Sequence, residues 1–460
     1  MPAELKPEDL AAFVGGADYG EVFVESSESR SLKWEDGKLA DAAASKDRGL
    51  SLRYLRRRAQ GVETLLASDQ TPSLEALATL RRRLLGLPPA SSPAPLKSSA
   101  SSETIALVDP FGVPLPDKIA LFSSIDRALR SEFPSIRQVS LFYSERRRRV
   151  AIANSEGASL GDSRLGVMLA IHVVSSRDGV LQTGSEIIGG PRGYELLLES
   201  QPLRIARRAA RRAELKLAAP KAAAGEMPVV LSSAAGGTFI HEAIGHSLEA
   251  DHVQEGTSPA YHGKRGQAIA CEKITVIDDP TLPYARGSFR FDDEGITAAP
   301  TVLVKNGVLA DYLYDRSTAF KENRASNGHG RRESYACSPI PRMSNLYIAP
   351  GPDDPRRIIQ SLDSGILVTR MGGGQVNTAT GRFVFEVDEG FLVKDGVVRH
   401  MVRDANLLGV GPEILRSIDL VGWDIGWGIG TCGKDGQGVP VSDGQPTLRI
   451  PKALVGGKNE

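Results

Sequence analysis

The sequence predicts an α+β protein with an N-terminal α/β domain, a middle α/β segment and a large C-terminal domain of mostly antiparallel β strands. Three observations predict this class. Apolar residues alternate with a period of two near the N-terminus and form many short runs after residue 226, amphipathic helical stripes recur in the first half, and 48 glycines and 28 prolines supply many turns. The length of 460 residues suggests roughly three domains.

Residues 1–86 predict a strand meander followed by one helix. Apolar residues alternate at 22–24 and again at 49–55, and the Asp36-Gly37 pair between them is typical of a hairpin turn. The helix is expected to begin at Thr71-Pro72, where a hydroxyl can cap the first turn, and to end at Gly86. Its apolar stripe consists of Leu74, Leu77, Leu80 and Leu84.

A segment at 87–104 is rich in proline and serine, a composition that cannot bury a core, and it predicts a surface linker. The next region, 105–217, predicts a second α/β unit with helices near 117–130 and 202–217. The second of these helices is basic and amphipathic. Strands are expected at 139–143, 150–153 and 167–174.

The C-terminal domain is expected at 226–455, after an alanine-rich boundary at 218–225. Its glycine content and short apolar runs favour antiparallel strands. This domain is expected to carry one important helix, which bears the motif His-Glu-x-x-x-His (HExxxH). The expected strands include 229–231, 274–277, 301–304, 383–387 and 391–393.

The charge balance argues against a nucleic-acid partner. Lys plus Arg and Asp plus Glu both number 56, so the formal charge is zero, and the pI is about 7.1. Arginine clusters at 56–58, 81–83, 146–149 and 207–212 lack interleaved aromatic residues, which favours solvated helix or strand faces over nucleic-acid contacts.

Three cysteines are too few for a disulfide framework in a chain of this length, which favours a reducing compartment. The first residues are acidic where a secretory signal would be basic, and no segment has the roughly 18 uninterrupted apolar residues of a membrane span. We therefore expect a cytoplasmic protein with no membrane partner.

His241, Glu242 and His246 form the most informative cluster. Two imidazoles and a carboxylate this close resemble the zinc-peptidase motif, in which histidines on a helix hold Zn²⁺ and the glutamate is the general base. Histidines five residues apart, however, lie about 140° apart around a regular α-helix. A one-residue π-bulge or kink at Gly245 would bring them to one face. From the spacing alone, a metal site and two ordinary, partly buried histidines are equally favoured.

A catalytic zinc site usually needs a third protein ligand. Cys432 is the best candidate, because its glycine-flanked loop lets the backbone approach closely and a cation would stabilise the thiolate. A lone cysteine is more often a small buried apolar residue, and this interpretation applies to Cys271 and Cys337. Glu249 is either a carboxylate that orients an imidazole or a structural carboxylate.

Several longer motifs occur in one order along the chain. They are GTFIHEAIGHSLEAD at 237–251, DDEG at 292–295, NGHGRRESY at 327–335, PRMSN at 341–345, GGGQV at 372–376, and CGKDGQGVPV followed by GQPTL at 432–448. On these motifs the sequence resembles the TldD/PmbA family of metallopeptidases, historically called modulators of DNA gyrase, over nearly its whole length. The resemblance is to the TldD branch, which carries HExxxH.

The resemblance implies a zinc site with His241, His246 and Cys432 as ligands, and with Glu242 as the base that activates the metal-bound water. It also implies hydrolysis of unfolded or short peptides. A dimer is expected, either a homodimer or a heterodimer with a PmbA/TldE-like sister subunit that lacks the motif. No residue is assigned to substrate binding.

The alternative is a non-catalytic regulatory or partner subunit that binds peptides or a gyrase modulator. A vestigial site would not be expected to keep His241, Glu242, His246 and Cys432 together, which favours the enzyme.

Overall fold

The computed structural model describes Leu5 and residues 7–90, 97–377 and 379–457. Long strands dominate the N-terminal half. They are β1 (Tyr19–Glu35), β2 (Lys38–Arg58), β3 (Gly61–Asp69), β4 (Ser98–Glu103), β5 (Ile136–Asn154), β6 (Ala158–Arg177) and β7 (Val180–Gly190). They form one sheet in the order β3-β2-β1-β5-β6-β4, with β7 also paired to β6. The hairpin turn expected at Asp36-Gly37 is confirmed, with positive φ at both residues.

This single sheet joins the two N-terminal units that the sequence analysis separated. β1 pairs with β5 along Glu21–Glu35, so strands before and after the expected 87–104 linker are direct neighbours. Residues 91–96 of that linker lie outside the described residues. Its last part is not a linker, because Ser98–Glu103 pair in parallel with β6 at the edge of the sheet. An edge strand tolerates small polar residues, because its outer edge has no neighbouring strand.

Helices cover one face of this sheet. They include α1 (Pro7–Leu10), α2 (Leu74–Leu85), α3 (Leu115–Glu132), α4 (Glu195–Ser200) and α5 (Pro202–Ala218). The three expected helices thus correspond to α2, α3 and α5. Ser73 rather than Thr71 caps α2, because its hydroxyl accepts the N–H of Ala76, and Gly86 ends the helix with a left-handed φ of 70°.

The opposite face of the sheet contacts the C-terminal half through buried ion pairs. The guanidinium of Arg53 lies between the carboxylates of Glu21 and Glu294, and all three side chains are fully buried. Arg332 also binds Glu21, and Arg148 pairs with Asp293. The charges are therefore compensated across the contact between the two halves.

The C-terminal half is built from many shorter strands. They are β8 (Gly225–Leu231), β9 (Val276–Asp278), β10 (Thr301–Lys305), β11 (Val308–Leu309), β12 (Gly330–Arg331), β13 (Ile340–Pro341), β14 (Asn345–Ile348), β15 (Ser364–Asn377), β16 (Arg382–Lys394), β17 (Val397–Val402), β18 (Ala405–Val410), β19 (Leu420–Val421), β20 (Gly426–Lys434), β21 (Gln437–Gln445) and β22 (Leu448–Gly457).

These strands form two principal sheets. The first has the order β15-β8-β22-β18-β16-β17, and an additional β15–β16 pairing closes it into a barrel; the second has the order β11-β10-β9-β14-β21-β20. Most pairings are antiparallel, with parallel contacts between β8 and β15 and between β14 and β21. The predicted α+β class with a mostly antiparallel C-terminal region is therefore confirmed.

Short helices connect these strands. They are α6 (Thr238–Ile240), α7 (Ala250–Gln254), α8 (Arg316–Lys321), α9 (Pro355–Gln360) and α10 (Gly411–Ser417), with a π turn at His241–Gly245 and 3₁₀ turns at Ser233–Ala235 and His246–Leu248. A further 3₁₀ turn, Pro110–Gly112, precedes α3 in the N-terminal half. Phe239 of α6 makes edge-to-face contacts with Phe383 and Phe385 of the barrel. Within the described residues, no helix combines the length and apolar character needed to cross a membrane.

Candidate metal centre

The segment from Thr238 to Leu248 is not a regular helix. α6 passes at His241 into a single π-helical turn that ends at Gly245, and a 3₁₀ turn follows. The backbone N–H of His246 donates to the carbonyl oxygen of His241, which is the π-helical bond. The two imidazole centroids lie 5.0 Å apart. The π-bulge that the spacing required is therefore present, and it brings both histidines together.

Glycines allow this segment to pack closely against the second sheet. A Cβ added at Gly237 would lie 2.3 Å from the carbonyl carbon of Asp443 on β21. A Cβ at Gly245 would lie 2.2 Å from the Sδ atom of Met343. Close packing thus fixes the segment before α6, at Gly237, and the last residue of the π turn, Gly245.

β20 presents Cys432 to the two histidines. Its Sγ atom lies 3.5 Å from Nε2 of His246, and one ligand atom from each of His241, His246 and Cys432 lies within 4.8 Å of the others. Cys432 is buried, and the guanidinium of Arg342 donates to its carbonyl oxygen. The structure therefore brings together three residues that are far apart in sequence.

A carboxylate orients each imidazole. Nδ1 of His241 lies 2.8 Å from Oδ1 of Asp443, and Nδ1 of His246 lies 3.0 Å from Oε2 of Glu249. Glu249 is fully buried and also lies 3.2 Å from Nζ of Lys434. Of the two interpretations of Glu249, the geometry therefore fits the orienting carboxylate.

Asp443 was not identified from the sequence. It directly precedes the GQPTL motif, and this proximity was the signal available. The hydrogen bond to His241 depends on how β21 packs against the π turn, which the sequence pattern does not specify.

The three clustered groups have shifted pKa values. Burial opposes the charged form of His246, but Glu249 and Cys432 outweigh it and raise the pKa to about 9. Burial likewise opposes charge on His241, yet Asp443 raises its pKa well above the usual value. Burial disfavours the Cys432 thiolate, whereas hydrogen bonds from both imidazoles lower its pKa to about 6. These shifts favour a thiolate beside two protonated imidazoles in the metal-free cluster.

Glu242 projects from the same π turn and is half-buried. Among the described residues, its carboxylate has no hydrogen-bond partner. A carboxylate without a competing partner is available to accept a proton from a substrate or water molecule.

This donor set fits a zinc ion. Zinc prefers cysteine thiolate and histidine nitrogen in tetrahedral geometry. Sulfur at about 2.3 Å and nitrogen at about 2.0 Å from a tetrahedral ion lie about 3.5 Å from one another. Sγ of Cys432 and Nε2 of His246 already have this separation. The carboxylates on both Nδ1 atoms hold the rings in the tautomer whose Nε2 can bind a metal once deprotonated.

The other histidine and cysteine candidates do not join this cluster. His252 lies 3.8 Å from Glu249 but binds Thr257 through Nδ1. His329 is fully buried, where it contacts the hydroxyl of Thr301. Cys271 and Cys337 are free and partly buried.

Three family models match successive parts of the chain. Residues 20–83 match PmbA/TldA metallopeptidase domain 1, residues 108–217 match the central domain, and residues 224–457 match the C-terminal domain. Together they cover most of the sequence.

Named relatives are similar over almost the whole chain. A Metalloprotease TldD homolog of Haemophilus influenzae is 33% identical over 455 residues, covering 96% of this chain and 93% of the relative. A Metalloprotease of Methanothermobacter thermautotrophicus is 34% identical over 444 residues, covering 96% of each chain. A Zinc metalloprotease TldD homolog of Saccharolobus solfataricus is 28% identical over 349 residues, covering 74% of this chain and 76% of the relative.

Solved structures share the fold. A Thermotoga maritima protein superimposes with a TM-score of 0.77 at 21% identity, covering 95% of this chain and 96% of that one. TldE from Thermococcus kodakarensis superimposes with a TM-score of 0.71 at 19% identity, covering 96% and 97% of the two chains. With family models and relatives that span its length, the chain belongs to the PmbA/TldD family of metallopeptidases.

Proposed function

We propose that this chain is a zinc-dependent peptidase that hydrolyses unfolded or short peptides. The observation that carries the proposal is the convergence of His241, His246 and Cys432, whose ligand atoms lie within 4.8 Å of one another. Two neutral imidazoles and a thiolate are a ligand set that suits zinc and leaves a fourth position open for water or substrate. The relative from Saccharolobus solfataricus, named a zinc metalloprotease, supports the choice of metal.

In this proposal each residue has a defined part. When bound, zinc lowers the pKa of a water molecule toward neutrality and polarises the scissile carbonyl group. The carboxylate of Glu242 accepts a proton from the attacking water and passes it to the nitrogen of the leaving amine. Asp443 and Glu249 hold the two imidazole rings in position through their Nδ1 atoms.

Three expectations accompany the proposal. The fold likeness to TldE supports a dimer, as a homodimer or with a sister subunit, and the family resemblance supports unfolded or short peptides as substrates. All three cysteines are free, which supports a reducing, cytoplasmic compartment.

The test combines elemental analysis with a cleavage assay on unstructured peptides, performed alone and with a co-purified sister subunit. We expect one zinc per chain in the wild type and its loss in His246→Ala and Cys432→Ala. Glu242→Gln keeps the metal but cleaves at least about 100-fold more slowly, because it cannot accept a proton. Glu255→Gln, an exposed glutamate nearby, is the matched control and keeps both properties.

Two results would contradict the proposal. Full activity in Glu242→Gln would overturn the assignment of the general base. A wild-type chain that holds no metal after zinc loading and desalting would favour the alternative, a non-catalytic partner subunit.

A further inference from the structure

A cavity with a volume of about 400 Å³ lies between the N-terminal sheet and the C-terminal half. Its walls come from β5 and β6, from the loop around Arg286–Arg290, from Arg331–Glu333, and from the β20–β21 hairpin. His241, His246 and Cys432 do not line it. This volume is in the range of pockets that hold small molecules.

The cavity has an excess of positive charge. Eight arginines and five acidic residues line it. Some of these arginines are neutralised within the chain: Arg164, for example, lies 3.0 Å from Asp293. In contrast, Arg286, Arg290 and Arg331 have no carboxylate of a described residue within 4.0 Å. The carboxylates of Glu103 and Glu333, which also line the cavity, likewise have no cation of a described residue within 4.0 Å, so three unpaired cations exceed two unpaired carboxylates.

Two of the three are held in place by backbone oxygens. Arg286 donates to the carbonyl oxygen of Gly430, and Arg331 donates to those of Met343 and Pro440. Each guanidinium carries five N–H donors, so several stay available to a ligand. Burial lowers the pKa of Arg286, and it lowers that of Arg331 to about 9. Both are therefore partly desolvated cations without a counter-ion.

The remaining walls are partly apolar. Met168 and Pro440 line the cavity, with the Sδ atom of Met168 3.8 Å from a guanidinium nitrogen of Arg286, and the ring of Phe289 lies 5.3 Å from the guanidinium carbon of Arg331. A guanidinium fork matches a planar carboxylate through paired hydrogen bonds. An apolar wall beside such forks favours a ligand that carries an apolar body as well as the charge.

We propose that this cavity binds a small organic carboxylate with an apolar body, and that Arg286, Arg290 and Arg331 hold the carboxylate. The site is distinct from the metal centre. Thr431 lines the cavity, whereas its neighbour Cys432 faces the histidines, and successive side chains of a strand point to opposite faces. The binding site therefore does not depend on the proposed peptidase activity.

The test uses isothermal titration calorimetry of the full chain with N-acetylphenylalanine. The uncharged N-acetylphenylalanine amide, equal in size and shape, is the matched ligand. We expect saturable binding of the acid and at least about ten-fold weaker binding of the amide, because the amide cannot form charge-assisted hydrogen bonds. Rising salt should weaken binding of the acid.

Variants locate the binding. Arg290 is exposed, so Arg290→Gln leaves the fold intact. Arg290→Gln and Arg286→Gln should each weaken binding of the acid about ten-fold or more. Arg83→Gln, another exposed arginine on a distant helix, is the matched control and should bind as the wild type does. His246→Ala should also retain binding, because it alters only the metal centre.

Several outcomes would overturn the proposal. Equal binding of acid and amide, or no binding of either, removes the carboxylate site. Binding of inorganic phosphate without binding of the acid reassigns the ligand class. Loss of binding in His246→Ala moves the ligand to the metal centre, and an equal loss in Arg83→Gln shows that the interaction is nonspecific.

Discussion

Nδ1 of His241 lies 2.8 Å from Oδ1 of Asp443, a residue 202 positions later in the chain. The bond joins the π turn to β21, next to the place where Gly237 touches the backbone of the same strand. It fixes the ring so that Nε2 faces the cluster. The position of this nitrogen therefore depends on β21, a strand that carries none of the three clustered residues.

Asp443→Asn tests this arrangement. An amide of the same size keeps the shape but cannot match the carboxylate as a hydrogen-bond acceptor, so zinc affinity should fall about 10- to 100-fold. Competition with a zinc-binding dye measures the change. Asp435→Asn is the control, since Asp435 is exposed in the turn between β20 and β21 and asparagine suits its positive φ of 51°. Equal affinities in the two variants would contradict the role of Asp443.

Zinc binding should release protons. The pKa of His246 is raised to about 9, that of His241 is raised well above its usual value, and that of Cys432 is lowered to about 6. We therefore expect each imidazole of the metal-free cluster to carry one extra proton at neutral pH. Both must leave when the imidazoles bind metal, so affinity should rise about 100-fold per pH unit between about pH 6 and about pH 9. Below about pH 6 the thiolate also takes up a proton, and the slope should steepen.

Calorimetry in buffers of different ionisation enthalpy counts these protons directly. Buffer-independent heats, or an affinity that does not change with pH, would contradict the charge state of the cluster. His246→Ala is the internal control, because any residual zinc binding by that variant should release fewer protons.

Gly245→Ala should destabilise the fold and distort the metal centre. Its φ of −54° suits alanine, so the penalty comes from contact: the new methyl group would lie 2.2 Å from Sδ of Met343 and 2.8 Å from Leu346. Overpacking of this kind costs about 1–3 kcal/mol in the free energy of unfolding. Urea denaturation measures it, and Gly161→Ala, whose methyl group would meet no atom within 4 Å, is the control. Equal stability of the two variants would show that the π turn has room to move.

Arg53→Met should weaken the contact between the two halves of the molecule. The substitution leaves the buried carboxylate of Glu294 without its cation, whereas Glu21 keeps its pair with Arg332, and loss of one member of a buried ion pair costs about 3–5 kcal/mol. The exposed pair Arg58–Glu63 provides the control, since Arg58→Met should change the free energy of unfolding by less than about 1 kcal/mol. Similar effects in both variants would contradict the importance of the buried pairs.

The grouping of His241, His246 and Cys432 could be predicted because the chemistry of metal ligands limits the choices. Two histidines five residues apart can share an ion only if the helix gains a residue in one turn, and Gly245 was the residue that could allow it. Asp443 could not be found in this way. Carboxylates are common, and which one reaches His241 depends on the packing of β21.

The fold was predicted best where local signals are strong. The Asp36-Gly37 turn and the helix ending at Gly86 follow from residues that favour positive φ. Strand lengths were underestimated, since the runs at 139–143 and 150–153 belong to one strand, β5, whose intervening arginines find acidic partners in other strands and loops. Ser98–Glu103 were assigned to a linker because pairing at a sheet edge leaves little trace in composition.

The shared N-terminal sheet has a consequence for protein engineering. Two family models divide this region at 20–83 and 108–217, yet β1 and β5 hydrogen-bond along fifteen consecutive residue pairs. A fragment expressed from either part would expose a long unpaired strand and be prone to aggregate. Chimaeras between relatives should therefore exchange everything up to α5 as one piece, with the crossover placed between Ala218 and Gly225.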